Sequence, residues 1–162
     1  MSAFHSPGPC HLTYAGGTMG YGLDGFEVEI VAHHRAVKYD VFGGADGPPA
    51  DFQMMLGEAF ISGTMEAFTW SVLYQAISNA FAGASLGQMP AAGTLLGANG
   101  FLKPLLVPSP TDDLPWLFPS SLLISPTRFH KGTITSQIPI LFHCIPYGGN
   151  VPDSSAGLVL WQ

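Results

Sequence analysis

Residues 16–31 read GGTMGYGLDGFEVEIV. From Phe26 onward apolar and acidic side chains alternate, with Phe26, Val28 and Ile30 set against Glu27 and Glu29. Successive side chains of a strand point to opposite faces, so this spacing predicts a strand with its apolar face in a core and its acids on the other side. The step Leu23-Asp24-Gly25 just before it is the strongest local hairpin signal in the chain.

Reading outward, residues 1–12 hold two prolines and a glycine without periodicity. They read as an extended arm that includes Phe4, Pro7 and Pro9. On the other side, residues 36–42 (AVKYDVF) predict the next strand, with Val37, Tyr39 and Val41 alternating against Lys38, Asp40 and Phe42. A turn-rich excursion over 42–53 follows, built from Phe42, Gly43, Gly44, Asp46, Gly47, Pro48, Pro49, Asp51 and Phe52. QMMLGEAFISGTMEA (53–67) reads as a strand with an internal glycine. Residues 64–81 read as the one clear helix, because Phe68, Val72, Leu73, Ile77, Ala80 and Phe81 fall on one stripe at helical spacing. Such a stripe is the mark of core packing.

Leu86, Leu95 and Leu96 then suggest ordered turns within a Gly/Ala-rich stretch. FLKPLLVPSP reads as a strand that Pro104 marks as an edge or a bend. A strand follows through Leu122 to Ile124, and GTITSQIPILFHCIP adds another, with Pro139 again implying an edge or a bulge. GLVLWQ closes the chain as a short apolar strand. About seven short strands and one helix make the chain mainly β: a sandwich or barrel with one packed helix, in a single domain over 1–162.

Only 10% of the 162 residues are charged, against roughly 25% in an ordinary globular protein. No run approaches the ~18 uninterrupted apolar residues of a spanning helix, and the N-terminus lacks the basic-then-apolar pattern of a signal peptide. A subunit whose surface is largely covered by neighbours explains the deficit, because obligate interfaces are core-like and poor in charge. The net charge of −6 disfavours tight binding to phosphates, although it would tolerate nucleic acid sliding past. Two cysteines are too few for a disulfide framework, and a reducing cytoplasm at synthesis is the default.

Sites of chemistry are scarce. There is no G-x-S-x-G elbow, H-E-x-x-H or phosphate-binding loop. Ser71, His130 and Asp153 assemble into a triad only on paper. Cys10-His11 and His143-Cys144 supply four zinc-type ligands, yet neighbours on a strand face opposite ways and rarely share a metal. His33-His34 reads as a loop or interface pair, and Asp112-Asp113 as a solvated turn or a helix cap. The expectation is no catalysis, no metal and no cofactor.

The stretch from Ala15 to about Phe81 resembles the major tail tube proteins of tailed bacteriophages. GGTMGYGLDGFEVEI, VKYDVFG, GPPADF and MLGEAFISGTMEAF carry the likeness, and the final third fits only by element order. The resemblance implies a β-sandwich or barrel whose subunits join into hexameric rings. The rings stack into a hollow tube that passes DNA during ejection, and the protein belongs to the virion tail after synthesis in the host cytoplasm. Its partners are then itself, other tail proteins, and DNA in transit without specific binding. The 42–53 excursion becomes an inter-ring loop, and the 1–12 arm a second axial contact. Glu27 and Glu29 become lumen candidates, a like-signed lining to which phosphates do not stick. The bland alternative leaves them on a solvated face or paired with Lys38 or Arg35. Competing roles are a tail terminator, a distal tail ring, a head–tail connector, a capsid decoration or shell protein, and a small ligand-binding barrel.

Overall fold

The computed structural model describes residues 2–5, 9–37, 51–81, 93, 95–97, 100–108, 115–124, 137–146 and 160–161. In chain order the elements are β1 (Ser2–His5), β2 (Cys10–Tyr14), β3 (Gly17–Gly22), β4 (Phe26–Val37), β5 (Asp51–Met65), β6 (Ala67–Phe68), α1 (Trp70–Ala80), β7 (Lys103–Val107), β8 (Trp116–Leu123), β9 (Ile138–Ile145) and β10 (Leu160–Trp161). The strands form one antiparallel sheet in the order β1-β4-β5-β9-β8-β7-β2-β3-β6, with β10 beside β8 off that path. The mainly β expectation with one helix therefore holds among the described residues.

Alternation builds the core. Cys10, Leu12 and Tyr14 of β2 are buried, as are Phe26 and Val28 of β4, and Ile138, Ile140, Phe142 and Cys144 of β9. Each set is spaced by two residues, which puts it on one sheet face. Ile30 packs half-buried against the same cluster, so the strand reading of 26–31 survives intact. Helix α1 lies on this face against β3 and β8. It buries Leu73, Ala76 and Ile77, and Asn79 donates a 3.0 Å hydrogen bond to the Tyr14 hydroxyl. Thr69 makes no side-chain cap and the first turn holds no acid, so packing rather than capping holds the helix.

Several local expectations are corrected. The helix starts at Trp70, not at 64. Thr64 and Met65 pair with Pro139 and Ile138 of β9, and Ala67 and Phe68 pair with Tyr21 and Gly20 of β3. The turn at Leu23-Asp24-Gly25 exists, with Gly25 at φ 77, but it is not a hairpin. β3 pairs with β2 and β6, while β4 pairs with β1 and β5. The local hairpin is instead β2–β3, turned at Ala15 (φ 50) and Gly16 (φ 83). Two positive φ values in a two-residue loop match the right-handed twist of the flanking strands.

The stretch read as an N-terminal arm is built into the sheet. Ser2–His5 pairs with β4, Phe4 opposite Val28, and Cys10–Tyr14 lies between β3 and β7. The strand expected at 26–31 runs on through Val37, so the strand expected at 36–42 is not separate over 36–37 (38–42 lie outside the described residues), and His33-His34 lies within β4 and not in a loop. Pro104 marks a bend and not an edge: β7 runs between β8 and β2, with a register shift between Lys103 and Leu105. There the Ser121 hydroxyl donates to the Lys103 carbonyl at 2.7 Å, and Ala15 N–H donates to the Pro104 carbonyl at 2.9 Å. Pro139 is exposed opposite Thr64, beyond the stretch of β9 that β8 covers. Among the described residues no β8 group stands opposite its missing N–H.

β6 follows β5 after the single residue Glu66, yet it pairs with β3 at the far end of the strand order. Glu66 N–H donates to the Tyr21 carbonyl at 2.8 Å, and Thr69 N–H to the Met19 carbonyl at 2.8 Å. The run of neighbours from β5 through β9, β8, β7, β2 and β3 thus returns to the end of β5.

Candidate functional surface

β4 and β5 pair without a break in the ladder from Phe26↔Gly63 to Val37↔Asp51, apart from one register shift between His33 and His34. Their neighbours stop much earlier. β1 covers β4 only as far as Ile30, and β9 covers β5 only down to Ala59. Among the described residues, 31–37 and 51–58 continue beyond those points as a two-stranded ribbon, roughly 20 Å long at the rise of an antiparallel strand. His33, His34, Arg35, Ala36, Asp51, Phe52 and Gln53 are all exposed on it, Phe52 by 64%.

The expected 42–53 loop is therefore shorter, because Asp51 and Phe52 already belong to β5. Asp51 Oδ1 accepts the Phe52 N–H at 2.7 Å. Phe42, Gly43, Gly44, Asp46, Gly47, Pro48 and Pro49 lie outside the described residues, as do Pro7, Lys38, Asp112, Asp113, His130 and Asp153. Pro9 is described and exposed.

Glu27 and Glu29 sit on the sheet face opposite Phe26 and Val28, Glu27 exposed and Glu29 half-buried. Arg35 does not pair with Glu29: six residues along the same strand separate them by roughly 20 Å.

On that same face, three strands bring together a group that no spacing in the sequence reveals. Glu58 of β5 stands between His33 of β4 and His143 of β9. His33 Nε2 is 2.7 Å from Oε1, and His143 Nε2 is 2.7 Å from Oε2. The two imidazole hydrogen bonds hold the Glu58 carboxyl below its usual value. Phe60 stacks on His143 at 4.6 Å and 12°, which fixes the ring plane.

The paired ligands expected to be weak zinc candidates are scattered. Cys10 and Cys144 are in the core, His11 tilts against Tyr21 at 5.6 Å, and His143 is on Glu58. Among the described residues no three His, Cys, Asp or Glu side chains are grouped to hold a metal, and no helix is long and apolar enough to cross a membrane.

The Cys10 thiol donates to the Pro108 carbonyl at 2.8 Å, and burial pushes the Cys144 thiol far above its usual value. The thiolate is the reactive form. At pH 8 both cysteines are expected to react with a soluble disulfide reagent at least about a hundredfold more slowly in the native protein than in denaturant. Prompt labelling of either thiol in the native state would show that this part of the core is open.

No protein-family model matches the chain, and no curated protein matches it.

Proposed function

We propose that this chain is a structural, ring-forming subunit of a tailed-phage virion, with rings stacked into the tail tube through which DNA is ejected. The observation that carries the reading is the β4–β5 ribbon reaching past both of its neighbours. No described strand pairs with its outer edges, and a two-stranded ribbon of that kind is marginally stable in water with backbone donors and acceptors free along its edges. Contact with an adjacent subunit satisfies both needs. The ribbon also leads directly to the Gly/Pro-rich segment around residues 42–53, assigned here to the inter-ring contact.

Three further observations support it. A chain with 10% charged residues suits a subunit covered by neighbours. The return of the strand order from β3 through β6 to the end of β5 favours a barrel over a flat sheet. Glu27 and Glu29 face away from the core, as a repeated negative lining requires; such a lining lets phosphates pass without gripping them.

Electron microscopy of the purified protein at rising concentration, with light scattering alongside, tests this reading. The expected result is hollow tubes of uniform width with a regular axial repeat. Isolated rings that never lengthen would move the chain to a terminator, distal ring or connector of the same particle. A monomer at every concentration would remove the basis for the proposal.

A further inference from the structure

The His33–Glu58–His143 group lies where the sheet changes character. Glu58 is the first β5 residue, counting back from Ala59, that has no β9 partner, and His33 is the last β4 residue before the register shift. The group therefore stands at the root of the ribbon, where several strands give way to two. Each imidazole meets a different carboxylate oxygen, so the rings flank Glu58 and do not converge on a point between them. That is the geometry of a bridge, not of a metal centre.

We propose that this bridge is an acid-labile fastener, which ties β4 and β9 to β5 while Glu58 is ionised and releases the root of the ribbon when Glu58 takes a proton.

The proton inventory supports the proposal. An ionised carboxylate only accepts, and each ring can donate from Nε2 whether neutral or cationic. The bridge therefore does not depend on whether either ring is neutral or cationic. Protonating Glu58 leaves a neutral acid between the two rings. The remaining acceptor capacity is small, and charge on the rings is no longer offset by an anion. The carboxyl of Glu58 is lowered in the folded state. Its contribution to stability is thus present above the unfolded carboxyl value and is lost as pH falls through the folded one.

No other described group on this face replaces Glu58. Glu29 of β4 sits in the Phe60–His143 row, two strand spacings or about 10 Å from His143. Arg35 of β4 is cationic, and Asp51 lies at the distal end of the ribbon, opposite Val37. β9 offers Leu141 and Ile145 around His143, and β8 offers Leu122.

The test is amide hydrogen exchange on the full chain from pH 7 to pH 3.5, corrected for the intrinsic pH dependence of exchange. Protection of residues 31–37 and 51–58 is expected to hold down to the carboxyl range and then fall about tenfold or more. Core amides of Leu12 and Phe142 keep theirs. In Glu58→Gln the amide can donate to one neutral ring and accept from the other, but it offers no anion to two cations. Its release is expected at a higher pH than that of the native protein, because no anion remains to offset charge on the rings. His33→Gln, at an exposed position, leaves a single imidazolium and is expected to blunt the acid release. The proposal is overturned if native protein and Glu58→Gln release at the same pH, or if ribbon protection does not change. Simultaneous loss of core protection would also overturn it, since the ribbon would then merely follow global unfolding.

Discussion

A methyl group placed at Gly20 is expected to lower the unfolding free energy by about 3 kcal/mol, the upper part of the usual range for overpacking. For a chain of this length that corresponds to a fall in Tm of roughly 6–12 °C. A Cβ there would stand 2.6 Å from the Ala67 carbonyl oxygen, 2.6 Å from Met65 Sδ and 3.2 Å from Phe68 Cβ. The thioether can swing aside, but the carbonyl belongs to β6, which is held to β3 through Gly20↔Phe68 and Tyr21↔Ala67. Relief therefore requires backbone to move where the strand order returns to β5. Gly63→Ala acts in the same region, since its Cβ would meet Phe26 Cδ1 at 2.6 Å and the Gly25 carbonyl at 3.1 Å. Phe26 is fully buried and has no free space to yield. Thr18→Ala, at an exposed position of the same β3 strand, should stay within about 0.5 kcal/mol. Denaturant titration decides it: an unchanged midpoint in Gly20→Ala would mean that β3 and β6 do not pack as closely as described, and one in Gly63→Ala that Phe26 and Gly25 do not crowd Gly63.

The second large effect concerns assembly. Removing residues 44–49 should leave soluble subunits that unfold as cooperatively as the native chain, because the pairing from Phe26↔Gly63 to Val37↔Asp51 remains and shortening a chain connection changes its closure entropy little. If the chain stacks into tubes as proposed, those subunits should fail to form them. Losing a hot-spot contact of an interface costs about 2 kcal/mol or more, so the critical concentration for polymerisation should rise by roughly thirtyfold if residues 44–49 hold one. Sedimentation of polymer across a concentration series reads this directly. Normal tubes at the native critical concentration would exclude the ribbon tip from the axial contact. A trimmed chain that no longer folds would show the same defect in its denaturant curve, which separates the two causes.

Element type was legible wherever a run of side chains met one face of one neighbour. Phe26, Val28 and Ile30 against Glu27 and Glu29 showed a strand because a period of two needs no knowledge of the partner. Val72, Leu73 and Ile77 showed a helix for the same reason. Spacing alone carries the helix back past its start at Trp70, because Phe68 falls on the same stripe. Hydrogen bonding of Met65 to β9 and of Phe68 to β3 decides those residues, and that competition is invisible locally. Pro104 announced a disturbance but not its place: the same missing N–H serves an edge or an interior bulge, and only the strand order distinguishes them.

By itself, then, the amino-acid sequence determined a mainly β chain with one helix, a charge-poor surface, and acids turned away from the core at 27 and 29. These follow from composition and from nearest-neighbour periodicity. The tertiary structure alone decided that Leu23-Asp24-Gly25 joins strands that do not pair, that Ser2–His5 is a strand and not an arm, and that β4 and β5 outrun their neighbours as a ribbon. It alone brought Glu58 between His33 and His143, which lie 25 and 85 residues away along the chain. Pairing register is a contest among distant segments for the same backbone hydrogen bonds, and side chains from three strands meet only after that contest is resolved.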